Sequence, residues 1–374
     1  MTPKIAILFS ALLLNTAAHA TEPPAEALAI EEPIPEVAIS SIRNPELKPY
    51  RVMAAGLDAF DEFRHLAPAA TLRFRLGRRD DPKGHQGKWE DVSLRLAGGE
   101  TSIPIPIQAD GTLTLPRSQA AYDDEAEFIT NQKKASIRFT PEVRTPGLPA
   151  TVRRLGDLRL ECRIIMAIGK KEMNFAMRMA LNTIMLGPDW CGRGLGKFSF
   201  SLPDWSIHTS LVHEGKRSNF PTEGFSVAAP IQDKSLSDNA LLEFEFWSAV
   251  SKERKQAYLA QWPVQLHGAH STTKKWQAGP VFSEEGKGIY RAQMALEPGQ
   301  MKFRLASKGE RISFGGSATS AVLAPEVDFA LQRQGRDLSL QVDAAGIHEF
   351  VLDLQNPDQP LLKVRPPGPV SANQ

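Results

Sequence analysis

The sequence predicts a mainly β fold: an N-terminal β-rich domain with one or two helices, followed by a C-terminal immunoglobulin-like β-sandwich. Three observations carry that expectation. Short apolar runs alternate with polar residues along most of the chain. Glycine and proline, 27 and 28 of 374 residues, fall between those runs and favour short strands joined by turns over long helices. After Pro263 about seven short strands fit into about a hundred residues, which is the spacing of such a sandwich.

The chain opens on a targeting pattern. Lys4 supplies a positive start, Ile5 to Leu14 a short apolar run, and Ala18-His19-Ala20 a small-x-small site. This predicts a signal peptide over 1–20, cut before Thr21, and a periplasmic or secreted protein. The apolar run is too short to span a bilayer, and no later segment is long and apolar enough to do so. The formal net charge of +1 suggests neither nucleic acid nor an anionic membrane as partner.

Residues 21–48 are acidic and proline-rich without apolar period, and read as a disordered linker. A β-rich domain of no recognised family is expected over 49–250. Pro49 opens a helical pattern with Met53, Leu57 and Phe60 on one face. Strand patterns follow at Leu72/Phe74/Leu76, at Val92/Leu94/Leu96, and at Ile103/Ile105/Ile107, where interleaved prolines suit an edge strand. "ADGTLTLP" reads as an Asp110-Gly111 turn entering another strand. In "DLRLECRIIMAI", Leu158, Leu160, Cys162, Ile164, Met166 and Ile168 alternate and predict a long strand. Met173, Met177, Ala180, Leu181 and Ile184 then take helical spacing, ended by Gly187-Pro188, and read as a core face. Phe198/Phe200 and Leu242/Phe244/Phe246 resume strand alternation, with a loop-rich stretch between them.

Residues 251–261 read as a short basic connector helix, with the domain boundary just before Pro263. The sandwich is expected over 262–366 and a disordered tail over 367–374. Its strands are read at Val264/Leu266, Tyr290 to Leu296, Met301/Phe303/Leu305, Leu338/Leu340/Val342, His348 to Leu354, and Leu362/Val364. "MALEPGQMKFRLAS" (294–307) reads as a hairpin with Pro298-Gly299 as its turn. Cys162 and Cys191 are the only cysteines. In an exported chain the pair predicts one disulfide, stabilising the fold by about 3–4 kcal/mol.

"VQLHGAHSTTKKW" (264–276), "GKGIYRAQMALEPGQMKFRLAS" (286–307) and "GRDLSLQVDAAGIHEFVLDLQNPDQPLLKV" (335–364) occur in that order. Together they resemble the β-sandwich accessory modules of pullulanases, and through them family-48 carbohydrate-binding modules and the glycogen-binding domain of AMP-activated kinase. The resemblance covers 262–366. It implies a sugar site of two tryptophans, a lysine and an asparagine, in which indole faces stack on glucose rings and the polar groups bind hydroxyls. Trp276 matches the first tryptophan. Arg304 stands at the lysine, keeping its charge and changing its geometry. Asp337 stands at the asparagine, keeping an acceptor and losing a donor. Glu310 and Arg311 occupy the region of the second tryptophan.

Catalytic patterns are weak. His213-Glu214 and His348-Glu349 are isolated pairs without the HExxH spacing, and "EGFSVAAP" lacks the second glycine of a nucleophile elbow around Ser226. "GRGLGKF" (192–198) lacks phosphate-loop spacing and reads as a turn. "YDDEAEF" (122–128) lacks the spaced acids of a calcium loop and reads as a solvated acidic turn. His267 and His270 have no third metal ligand. No cofactor is implied. The leading reading is therefore an exported non-catalytic protein binding an α-glucan or cell-envelope glycan through Trp276, Arg304 and Asp337. Two alternatives stay open: a structural or assembly protein of the envelope that binds protein partners, and an unrecognised hydrolase in the N-terminal domain.

Overall fold

Most of the alternating runs form strands, each with one face buried in one of three hydrophobic cores. The computed structural model describes residues 44–79, 89–184, 187–193, 198–222, 224–270, 275–317 and 320–367. The expected signal peptide, residues 21–43 of the linker, residues 194–197 of "GRGLGKF" and residues 368–374 of the tail lie outside them. The architecture is mainly β and mostly antiparallel.

The end of the expected linker is ordered. Pro45–Pro49 is a strand paired with Glu127–Lys133. Helix α1, Tyr50–Glu62, follows at once and buries Met53, Leu57 and Phe60, the face its spacing predicts. One sheet runs Pro45–Pro49, Glu127–Lys133, Leu94–Ala97 and Ser102–Pro104, with the proline-bearing strand at the edge as expected. A second runs Thr112–Leu113, Thr71–Arg78 and Ile137–Arg144. Gly111 makes the turn before Thr112 at φ +77°, and a Cβ there would come within 2.5 Å of the Trp89 indole, so glycine is required on both counts. Helix α2, Gln119–Asp123, starts at Ser118, whose hydroxyl accepts the Ala121 N–H at 3.1 Å.

"DLRLECRIIMAI" is not a strand. It lies within helix α3, Leu155–Glu172. The alternation arises because the helix is buried on two opposite sides. Leu160, Ile164 and Ile168, four residues apart, pack with α1 in the first core. Leu155, Leu158 and Cys162 pack in a different core with Phe200, Leu242 and Phe244. Two apolar stripes on opposite helix faces make every second residue apolar, which mimics a strand.

Helix α4, Phe175–Ile184, forms where its spacing predicts, but it is not core. Phe175 is 69% exposed, Met177 52% and Ile184 61%. Helical spacing sets which residues share a face; it does not supply a cover for that face. Helix α5, Trp190–Arg193, brings Cys191 to Cys162, and the two form the expected disulfide. It ties α5 to a helix instead of to the expected strand.

The stretch read as loop between Phe200 and Leu242 contains a hairpin, Ser206–His213 with Lys216–Phe220, turning at Glu214-Gly215. Its buried positions include Ser206, Thr209 and Ser210, so hydropathy alternation is faint there. The pair Glu214-Gly215, both at positive φ, was the readable signal. Leu241–Phe246 pairs next to it with strict in-out alternation, and Val152–Arg154 forms the far edge of this sheet.

Helix α6, Lys252–Ala260, is capped by the Ser251 hydroxyl. After it two sheets face each other. One contains Gln277–Val281, Val264–His270, Gly299–Ser307, Ser313–Gly315 and Leu338–Val342; the other contains Ser283–Gly286, Ile289–Leu296, Gly346–Asp353 and Leu361–Arg365. Phe303 of the first sheet meets Phe350 of the second edge-on at 5.7 Å. "MALEPGQMKFRLAS" is therefore not a hairpin. Ile289–Leu296 pairs with Gly346–Asp353, and Gly299–Ser307 pairs with Val264–His270 and Leu338–Val342. Pro298-Gly299 carries the chain from one layer to the other, and Ala345-Gly346 does the same in reverse. Alternation shows that a strand buries one face, and it is silent on which sheet receives it.

The sandwich core does not stop at Pro263. Trp205, Trp247 and Tyr258 pack into it. Arg333 lies 3.8 Å over the Trp247 ring and 5.5 Å over Trp205, and its burial lowers its pKa to about 10 against the pull of Asp204 and Asp358. Asp358 accepts from the Trp247 indole at 2.6 Å and pairs with Lys255 at 2.7 Å.

A polar network joins α3 to the N-terminal sheets. Glu161 pairs with Arg153 at 2.7 Å, and both are almost fully buried. Glu142 sits between Arg75 at 2.7 Å and Arg144 at 3.0 Å. Burial alone would raise the Glu142 carboxyl, but the two guanidiniums override it and hold it at about 2, below its ordinary 4.5. A depressed carboxyl stabilises the fold above its unfolded pKa and loses that contribution as pH falls through the folded value. Glu142→Gln is expected to cost about 3 kcal/mol at pH 7. The difference from the wild type should shrink toward zero as pH falls through about 2. Urea unfolding of both proteins across that range measures it; a penalty independent of pH would refute the assignment.

Candidate functional site

The three residues singled out by the resemblance lie far apart in sequence and meet on one sheet. Trp276 immediately precedes Gln277–Val281, Arg304 lies within Gly299–Ser307, and Asp337 immediately precedes Leu338–Val342. Along Gly299–Ser307, Met301, Phe303 and Leu305 point into the sandwich and are buried. Period 2 therefore turns Lys302 and Arg304 to the outer face.

Arg304 is the hub. Its guanidinium carbon stands 5.4 Å from the Trp276 ring centre. Its Nε donates to Asp337 Oδ1 at 2.9 Å, its Nη2 lies 2.8 Å from the same oxygen, and its Nη1 lies 3.6 Å from Glu310 Oε1. A planar guanidinium can stack on an indole and bond a carboxylate in its plane at the same time, which an ammonium cannot. Trp276 stays 47% exposed. The result is an exposed aromatic surface bordered by a fixed donor and fixed acceptors. The arginine charge is answered by Asp337 and Glu310.

The other candidate residues do not join it as a catalytic or metal group. His267 and His270 both lie on Val264–His270, three residues apart, so they face opposite sides of the strand and cannot share an ion. In "YDDEAEF", Asp124 accepts the backbone N–H groups of Glu100 and Thr101, each at 3.0 Å, and pins that loop. Among the described residues no group of three or more histidine, cysteine or acidic side chains is placed to hold a metal ion. No helix among them is long and apolar enough to cross a membrane.

Sequence reading missed a cleft of about 640 Å³ beside the site. The overlooked hairpin forms one wall through His208, Asn219 and Phe220; Trp262, Glu310, Arg311 and Gln334 contribute from the sandwich side. Arg311 lies 5.2 Å over the Trp262 ring and donates to the Thr222 carbonyl across the cleft at 3.1 Å.

The chain matches no protein-family model, and no curated protein matches it. A solved structure described as "Ligand induced structure of AmyP-SBD" is similar over 28% of this chain and 72% of that one, with 21% sequence identity and a TM-score of 0.24.

Proposed function

We propose that this is an exported, non-catalytic binding protein whose C-terminal sandwich recognises a neutral glycan, with an α-glucan as the leading candidate. The observation that carries the reading is the meeting of Trp276, Arg304 and Asp337 on one exposed sheet face. The half-exposed indole offers an apolar surface to a sugar ring, while Arg304, Asp337 and Glu310 offer donors and acceptors to its hydroxyls. The internal ion pair also makes physical sense of the two departures from the family pattern. Arginine for lysine and aspartate for asparagine occur together and bond each other. Export is supported by the N-terminal targeting pattern and by the disulfide, which persists in an oxidising compartment.

The test is retention on insoluble starch together with calorimetric titration of maltoheptaose. Trp276→Ala is expected to weaken binding about tenfold or more, the worth of one buried stacking contact. Absence of binding to α-glucans, or binding indifferent to Trp276→Ala, would refute the reading.

One observation favours a protein-binding role in the envelope. Helix α4 presents Phe175, Met177, Met179 and Ile184 outward, and exposed apolar groups of this kind mark contact surfaces. Crosslinking from the periplasm with and without Phe175→Ser and Met177→Ser would test it; an unchanged set of crosslinked partners would set it aside.

A further inference from the structure

The cleft is more than a seam between two packed regions, because its lining is ordered, aromatic and continuous with the face described above. Trp205 is 4% exposed. It is held by Arg333 over its ring at 5.5 Å and by Phe225 edge-on at 5.3 Å. Held in this way, Trp205 is a fixed part of the cleft lining and needs no ordering when a ligand binds. The Trp205 and Trp262 indole N–H groups have no hydrogen-bond partner among the described residues, although both are buried atoms of residues lining the cleft. Buried donors are normally satisfied, so two such groups beside one cleft are informative. Around them stand side chains of the planar polar type, His208, Asn219 and Gln334, suited to hydroxyl groups that both donate and accept.

A chain of neighbouring contacts links the cleft to the outer face. Arg304 stacks by Trp276, Glu310 stands 3.6 Å from Arg304, and the next residue, Arg311, stacks on Trp262 inside the cleft. Where the related modules place a second tryptophan on the outer face, this chain has Glu310 and Arg311 and offers aromatic surface one step further along, at Trp262.

The geometry points to the cleft as a second subsite for the same glycan: a chain lying on Trp276 continues past Arg304 and Glu310 and places further sugar units against Trp262 and Phe220. This rests on the outer face binding a neutral glycan. It requires ligand length to matter in a way that a lone outer face would not.

Calorimetric titration of the full mature chain with maltotriose and with maltoheptaose tests it. The wild type is expected to bind the longer probe at least about tenfold more tightly. Trp262→Ala and Asn219→Ala are expected to bring the two affinities to within about twofold of each other, whereas Trp276→Ala weakens both probes. Asn219 is exposed, so its variant reads out the cleft even if Trp262→Ala disturbs folding. A wild type without length dependence, or length dependence preserved in Asn219→Ala and in folded Trp262→Ala, overturns the cleft while leaving the outer face intact. Failure of both probes to bind overturns the outer face and the cleft together.

Discussion

Glu161→Ala is expected to lower stability by about 3–5 kcal/mol, the penalty for leaving one member of a buried ion pair behind. Glu161 lies on α3 and meets Arg153 at 2.7 Å, with the two side chains 6% and 5% exposed. Its Oε2 also accepts the Val143 N–H at 2.9 Å. Burial pushes the carboxyl up, and Arg153 and the Val143 N–H pull against that. Burial wins, so the carboxyl stays above its ordinary value, and most of the cost of the variant comes from stranding the Arg153 guanidinium and the Val143 amide. A matched apolar replacement, Arg153→Met with Glu161→Leu, should recover much of the loss. Denaturant midpoints of the single and double variants measure both effects. A single variant costing under about 1 kcal/mol would show that water reaches the pair.

The second large effect is expected from Cys162→Ala with Cys191→Ala. The disulfide closes a separation of 29 residues, so its loss should cost about 3–4 kcal/mol in the chain-entropy account. Beyond α3, the enclosed segment is held mainly by the Arg163–Asp189 pair and by Trp190, which is buried. It includes α4, none of whose residues is buried. Cys162 itself is in a core and 1% exposed, so alanine adds a small packing loss. Thermal unfolding with and without reductant separates the two contributions. Reductant should lower the wild-type midpoint toward that of the double variant and leave the variant unmoved. A wild type indifferent to reductant under conditions that demonstrably open the bond would refute a stabilising role.

Strands were legible wherever one face was apolar and the other polar. Leu242, Phe244 and Phe246 show the rule at its clearest, with a strict in-out burial pattern. Three failures have separate physical causes. Cys162 and its neighbours alternate because α3 serves two cores, and single-sequence periodicity cannot divide one pattern between two partners. Ser206, Thr209 and Ser210 put hydroxyls at buried positions, so hydropathy passes over the hairpin that walls the cleft. Pro298-Gly299 looked like a hairpin turn because a turn and a crossing between layers use the same residues. The outer site was legible only through the family resemblance. Trp276, Arg304 and Asp337 are scattered over three elements, and composition alone would not have gathered them. The cleft was not legible, since it depends on the missed hairpin standing opposite the loop after Gly299–Ser307.

Helix α3 carries a consequence for how the molecule comes apart. Leu160, Ile164 and Ile168 belong to one apolar cluster, and Leu155, Leu158 and Cys162 to another. A helix with one buried side can fray from its partner while the remainder of the protein persists. A helix that is the common wall of two clusters offers no such stepwise route. Releasing it opens both at once, so the N-terminal sheets and the sheet of Leu241–Phe246 share a single cooperative fate and form one foldon despite having separate interiors.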